Sequence, residues 1–220
     1  MLEGLHALKH ALRCGAVVER IVVADRAAAI GLARRLAPDV APVIEATAEE
    51  VGAERFAGLS PRPVRTGVVA IARRPVARDP LDHAPVVLLE APQDLGNVGA
   101  CVRVAAAAGA GGVVTTGDRD PWSPEALRGS AGLHFALPVL HGDVPSGRPL
   151  TALDPDGRPF DPRALSDDAV LAFGTERAGL SAELKARADA IVALPMQPGV
   201  SSLNLATSVS AVLYAWRLMR

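Results

Sequence analysis

Aromatic side chains are scarce in this chain: four Phe, two Trp and one Tyr make up 3% of its 220 residues. That excludes an interior built on rings and a broad aromatic platform for stacking bases. Half of the residues are apolar, so the core has to be assembled from Ala, Val and Leu. Cysteine is scarcer still. Cys14 and Cys101 match neither a C-x-x-C pair nor a metal-ligand spacing, which predicts reduced thiols in a cytoplasmic protein with no bound metal. No apolar run approaches the ~20 residues of a membrane span. The first residues also lack the charged start and long apolar stretch of a signal peptide. Net charge is almost absent, at −1, which taken alone argues against a nucleic-acid partner. Its distribution argues the other way. Residues 1–75 carry 11 Lys and Arg against 8 Asp and Glu, whereas residues 76–220 carry 12 against 16. A basic first part and an acidic second part suggest one region that meets a polyanion and one that does other work.

Leu5, Leu8 and Leu12 recur at helical spacing before Gly15, predicting a helix over residues 3–14. A strand follows over 19–25, then a helix over 26–37 ended by Pro38, and a second strand over 41–47 (APVIEAT). A short helix over 48–59, capped by Thr47, leads to a strand over 66–72. This is an alternating α/β unit. Its Lys9, His10, Arg13, Arg34, Arg35, Arg62, Arg65, Arg73 and Arg74 are either solvated faces or an RNA-facing patch. Three prolines and mixed charges without periodicity then mark a linker. The expected division is a first domain over 1–74, a linker over 75–84 and a second domain over 85–220.

The second domain opens on an apolar strand and a glycine-containing turn into a helix of small residues. Gly96 and Gly99 invite a dinucleotide-binding reading, but the G-x-G-x-x-G spacing is absent and the next strand, VVTTG, ends without an acidic residue for a ribose. A nicotinamide cofactor fails on that ground. The segment does contain N-x-G-x-x-x-R, with Asn97 at the helix start and Arg103 one to two turns in, placed so that both can face one pocket. Asn97 reads equally as a simple cap. Arg103, flanked by Val102, Val104 and alanines, either snorkels to water or has a buried task. Trp122, in a proline-flanked loop, reads as a packing anchor. Downstream, a short strand is expected at Leu150–Leu153. Farther on, two polar loops, residues 174–179 (GTERAG) and 197–202 (QPGVSS), each follow an apolar strand, and such loops are where open α/β sheets bind ligands. The final helix, over 203–220, is apolar or small on nearly every side until Arg217, which predicts burial on more than one face and a subunit interface.

Taken in order, N-x-G-x-x-x-R at 97–103, G-x-E-x-x-G-L at 174–180 and L-P-M-x-x-x-x-S-S-L-N at 194–204 resemble the SpoU/TrmH group of RNA 2′-O-ribose methyltransferases, in the SPOUT superfamily. The resemblance extends over nearly all of residues 84–220. More loosely, the N-terminal unit is similar to the small ribosomal-protein-like α/β domain with which many members bind substrate. The resemblance implies an α/β protein whose C-terminal domain carries a deep trefoil knot. It also implies S-adenosylmethionine bent among the knot loops, contacted by Gly174, Leu194 and Leu203. The implied catalytic cluster is Asn97, Arg103, Glu176, Ser202 and Asn204, and the implied assembly is a homodimer through the C-terminal domain. The activity implied is methylation of a ribose 2′-hydroxyl in RNA, with ribosomal RNA foremost. The same chemistry on tRNA, and an RNA-binding relative without activity, remain as alternatives.

The chemistry suits such residues. Charge disappears as an oxygen attacks a methyl on a cationic sulfur, so a water-poor pocket lined by backbone dipoles favours the reaction. Arginine stays protonated and is a poor literal base. Arg103 is therefore expected to hold a phosphate and the 2′-oxygen. Ser202 and Asn204 either cap the last helix or orient the ribose, and Glu176 either pairs with Arg103 or Asn97 or contacts substrate.

Overall fold

The computed structural model describes residues 1–175 and 178–220. In the first part of the chain, β1 (Leu2–Glu3), α1 (Leu5–Arg13), β2 (Val18–Val23), α2 (Arg26–Leu36), α3 (Ala41–Thr47), β3 (Ala48–Glu50), α4 (Ala53–Ala57) and β4 (Val68–Ala72) build a four-stranded sheet. Its order is β1-β4-β2-β3. The β2–β3 pair is parallel and the other two pairs are antiparallel. Helix α1 forms as its leucines predict, burying Leu5, Ala7, Leu8 and Ala11.

Residues 41–59 differ from expectation. APVIEAT is the helix α3, not a strand, and Pro42 sits in its first turn, where a missing N–H costs nothing. Thr47 caps no following helix. It is the last residue of α3, and its hydroxyl donates to the Val43 carbonyl at 2.7 Å. The strand is instead Ala48–Glu50, paired with Ile21–Val23. A seven-residue run containing Val, Ile and Thr fits either period. Ile44, fully buried in the core it shares with Ala29 and Ala33 of α2, shows that tertiary packing decided the matter.

The rest of the chain forms β5 (Val86–Leu89), α5 (Leu95–Ala108), β6 (Gly112–Thr115), α6 (Pro124–Gly129), β7 (Val139–His141), β8 (Leu150–Pro159), β9 (Val170–Phe173), α7 (Ala182–Arg187), β10 (Ala190–Ala193) and α8 (Leu205–Leu218). Short 3-10 turns lie at Leu133–Phe135 and Pro162–Ala164. The six strands are parallel in the order β10-β8-β9-β5-β6-β7. Strand β8 runs ten residues, well past the expected Leu153. Both faces of the sheet are covered, which is why VVLL and VLAF read as unbroken apolar runs. Helices α5 and α8 pack together on one face through Val98, Val102, Val209, Val212 and Leu213. Strand order reverses beside β5, and a crevice is expected at the carboxyl ends of the strands there. Among the described residues no helix is long and apolar enough to cross a membrane, and neither Cys14 nor Cys101 is in a disulfide.

Trp122 is a packing anchor, as expected. It touches the cores of both sheets, its indole N–H donates to the Val139 carbonyl at 3.0 Å, and its ring meets His134 and Phe135 edge-on. His134 beside it is fully buried. The Pro121 carbonyl, 2.7 Å away, can only accept, so Nε2 carries the proton and Nδ1 accepts from the Ser130 hydroxyl in the neutral ring. Burial lowers the His134 pKa from 6.5 to about 4. The unfolded chain therefore takes up the proton first. Stability is unaffected by this group above about pH 6.5 and falls as pH drops towards 4, by about 3 kcal/mol at the end of the window. Urea midpoints measured from pH 7 to 4.5 should decline in the wild type. In His134→Gln they should start lower and stay flatter over the same range; parallel slopes would refute the assignment.

Candidate active site

The loops that leave the carboxyl ends of β9 and β10 close, with the middle of β8, around a cleft of about 610 Å³, within the usual range for a small-molecule site. Leu153, Asp154, Gly174, Leu194, Ser202 and Leu203 are among its lining residues. Four positions expected from the sequence, Gly174, Leu194, Ser202 and Leu203, are therefore brought together although two of them lie 29 residues apart in sequence. Glu176 lies outside the described residues.

Gly174 has a steric reason to be glycine. A Cβ there would lie 2.0 Å from the Gly179 carbonyl carbon and 2.2 Å from the Leu180 nitrogen. The loop doubles back on itself at that distance, with Thr175 and Gly179 exchanging backbone hydrogen bonds of 3.2 and 3.1 Å. Ser181 ends the loop by capping α7. Its N–H and hydroxyl donate to the two Glu90 oxygens at 2.7 and 2.5 Å, tying the loop to the end of β5.

Asn97 and Asn204 meet at the start of the two helices that cover the sheet. Asn204 caps α8, its Oδ1 accepting from the Ala206 and Thr207 N–H groups, and its Nδ2 donates to Asn97 Oδ1 at 3.1 Å. Asn97 is fixed in turn through its N–H, which donates to the Asp94 cap at 2.8 Å. Capping and the polar bridge are thus one arrangement, and it sets two helix N-termini, the positive ends of their dipoles, side by side. Gly99 lets α5 and α6 touch: its Cβ would sit 2.2 Å from the Ala126 carbonyl oxygen.

Arg103 is placed differently. It is exposed, is absent from the lining of the cleft, and lies on the α5 side that looks towards α1. Within one chain, then, Gly174, Leu194, Ser202 and Leu203 share one cleft, the asparagine pair forms a bridge at the helix starts, and the guanidinium stands apart. Two groups at the cleft had not been singled out from the sequence. Asp154 and Lys185 form an ion pair of 3.1 Å on its wall, and the Asp156 N–H, ahead of the Lys185 ammonium, holds the Asp154 pKa below its ordinary value. Glu90, a carboxylate closing an otherwise apolar strand, carried a signal in VVLLE that the motifs overshadowed. Among the described residues there is no cluster of three or more His, Cys, Asp or Glu able to hold a metal.

The model of the SpoU rRNA Methylase family matches residues 84–214. The 23S rRNA (guanosine(2553)-2′-O)-methyltransferase RlmP of Bacillus subtilis strain 168 is 28% identical over 229 residues, spanning 99% of this chain and 88% of that protein. An AdoMet-bound rRNA methyltransferase from Sinorhizobium meliloti superimposes with a TM-score of 0.77 at 28% identity, over 99% of this chain and 86% of that one. The SpoU methyltransferase AviRb from Streptomyces viridochromogenes, solved with AdoMet, gives a TM-score of 0.80 over 100% and 89% of the two chains. Its 24% identity speaks to the fold.

Proposed function

This chain belongs to the SpoU rRNA methylase family, and we infer from that membership that it transfers the methyl group of S-adenosylmethionine to a ribose 2′-hydroxyl of RNA. Ribosomal RNA is the substrate class. The relatives in Bacillus subtilis and Sinorhizobium meliloti, which match the N-terminal unit as well as the rest, are both named as rRNA enzymes. The observation that carries the reading is the cleft between the middle of β8 and the carboxyl ends of β9 and β10, with the Asn97–Asn204 bridge beside it.

The residues present fit the cofactor. The cleft has the volume for it, apolar walls from Leu153, Leu194 and Leu203, and polar backbone from the folded loop at Gly174. When bound, S-adenosylmethionine supplies an electrophilic methyl carried on a cationic sulfur. Gly174, Leu194 and Leu203 hold it, and Ser202, Asn97 and Asn204 orient the ribose beside the paired helix N-termini. Glu176 belongs to the same cluster by its place in the second motif. Arg103 has its role from its place in the first motif, although it stands outside the cleft of its own chain: it grips the phosphate and the 2′-oxygen, stabilising negative charge as the hydroxyl proton leaves.

The same reading includes a substrate-binding domain over residues 1–74, a linker over 75–84, and a methyltransferase domain over 85–220 whose C-terminal segment is threaded as a trefoil knot, acting in the cytoplasm. It also includes a homodimer through α8. Thr207, Ala211, Tyr214 and Leu218 form one stripe of that helix, with Tyr214 41% and Leu218 80% exposed, which supports a covering partner. Light scattering that finds only a 22.7 kDa species would refute the dimer.

The activity is tested by calorimetry with S-adenosylmethionine and by alkaline hydrolysis of RNA after reaction, since a methylated 2′-oxygen cannot attack the neighbouring phosphodiester. The expected result is binding and a new alkali-resistant position in ribosomal RNA. A resistant position in tRNA alone would move the substrate to the second reading. RNA binding without cofactor binding would leave the inactive relative.

A further inference from the structure

Helix α1 carries three groups that the cleft does not use. His6, Lys9 and His10 fall at i, i+3 and i+4, so they share one face of the helix, opposite the buried Leu5, Leu8 and Ala11. His6 also lines a hollow of about 320 Å³ with Arg62 and Arg65, from the turn before β4. That face is close to α5. Burial first, and then the charges of Lys9, Arg13, His6 and Arg103, push the His10 pKa below its ordinary value. The two parts of the chain are held in this relation by Glu3, just before α1, which accepts from the Arg128 guanidinium of α6, and by Leu127 of α6, which is buried in the core of the first sheet.

Pairing separates this patch from many of the other basic residues of the N-terminal unit, although Arg26, Arg35 and Arg55 likewise form no ion pair among the described residues. Arg13, Arg20, Arg34 and Arg73 are each bound to a carboxylate: Asp39, Glu49, Glu45 and Glu19. Glu3, the carboxylate that lines the hollow, is committed to Arg128 and Ser60. Among the described residues, Lys9, Arg62, Arg65 and Arg103 form no ion pair with any acidic group. A cation already paired has little to offer a phosphate, whereas an unpaired one releases counterions when a phosphate binds.

We propose that the α1 face bearing His6, Lys9 and His10, continued by Arg62 and Arg65, binds the sugar-phosphate backbone of the substrate RNA and leads it to Arg103 of the same chain. The proposal rests on the RNA methyltransferase reading and adds to it the surface along which RNA arrives. The run His6–His10 is short, roughly 6 Å of helix at 1.5 Å per residue. It therefore positions a short stretch of backbone beside the site and reads no bases, the sequence preference being left to other contacts.

The test is a triple charge reversal, Lys9→Glu, Arg62→Glu and Arg65→Glu, against a control that reverses paired arginines, Arg20→Glu with Arg34→Glu. Two probes are used: an unmodified 23S rRNA transcript and a fluorescein-labelled single-stranded RNA of mixed sequence. Affinity is measured across a salt series, with S-adenosylmethionine binding as the check on folding. The triple variant should lose at least roughly tenfold in affinity for both probes and flatten the log-log salt slope by about 2, at about 0.7 per lost phosphate contact. Its KM for RNA should rise while kcat at saturating RNA and cofactor affinity hold, and the control should stay within about threefold of wild type. If wild type methylates RNA and the triple variant keeps its affinity and slope, the surface is wrong and the activity stands. Equal losses in the control also overturn it, because net charge and not this face would then be responsible. If wild type binds neither cofactor nor RNA, the functional reading fails and takes this one with it.

Discussion

Arg103→Lys lowers the rate of methyl transfer by a factor on the order of 10²–10³ while leaving cofactor binding and the melting temperature unchanged. The size of the effect follows from what a guanidinium does that an ammonium cannot. Its fork offers two parallel N–H donors to a phosphate and an adjacent oxygen, and a point charge on a flexible stem does not reproduce that geometry. The lack of other effects follows from where the residue sits. Arg103 is exposed, has no ion pair among the described residues, and does not line the cleft beside β9 and β10, so neither stability nor the cleft depends on it. Single-turnover rates with saturating RNA and cofactor, set beside calorimetric cofactor affinity, separate the two terms. A lysine variant that turns over like wild type would show that Arg103 supplies only diffuse positive potential.

Gly174→Ala acts on the other half of the reaction, with a loss of cofactor affinity of about 10²-fold. The added methyl has no free space: the Gly179 carbonyl carbon and the Leu180 nitrogen lie at 2.0 and 2.2 Å from it, and both are backbone atoms. No side-chain rotation relieves such a contact. The loop has to open by about 1 Å or more, a displacement that commonly costs about 10²-fold where geometry matters. The Glu90–Ser181 hydrogen bonds fix the far end of the loop, so the displacement is directed towards the cleft rather than shared along the chain. Calorimetry with S-adenosylmethionine measures it, and near-normal affinity in the alanine variant would show that Gly174 does not shape the cofactor site. Gly99 is glycine for a related reason, the contact of α5 with α6, and it sits between Asn97 and Arg103 on the helix that carries both.

The leucines of α1 were legible because their spacing admits one period only, and the runs of β5 and β9 because they are short, unbroken and apolar, bounded by turn residues. APVIEAT was ambiguous: seven residues with Val, Ile and Thr satisfy strand and helix alike, and the burial of Ile44 against α2 settled a choice that local preference could not. Gly174 and Ser202 could be picked out in polar loops after strands, Leu194 and Leu203 entered only through the resemblance, and all four line one cleft. Asp154, Lys185 and Glu90 could not be placed the same way, since charges on a strand end or a short helix read as solvated until the strand order is known.

By itself the sequence determined the alternation of apolar runs with helical stripes and three ordered patterns of polar residues. Those are local properties, written in the spacing of side chains along one segment. Only the tertiary structure decided that Asn204 bridges to Asn97 across 107 residues, that Arg103 stands outside the cleft of its own chain, and that His10 of α1 lies close enough to feel its charge. Each depends on strand order and on the seating of one sheet against the other. Both are set by the burial of Ala, Val and Leu surface between distant segments, and no spacing within a single segment encodes that.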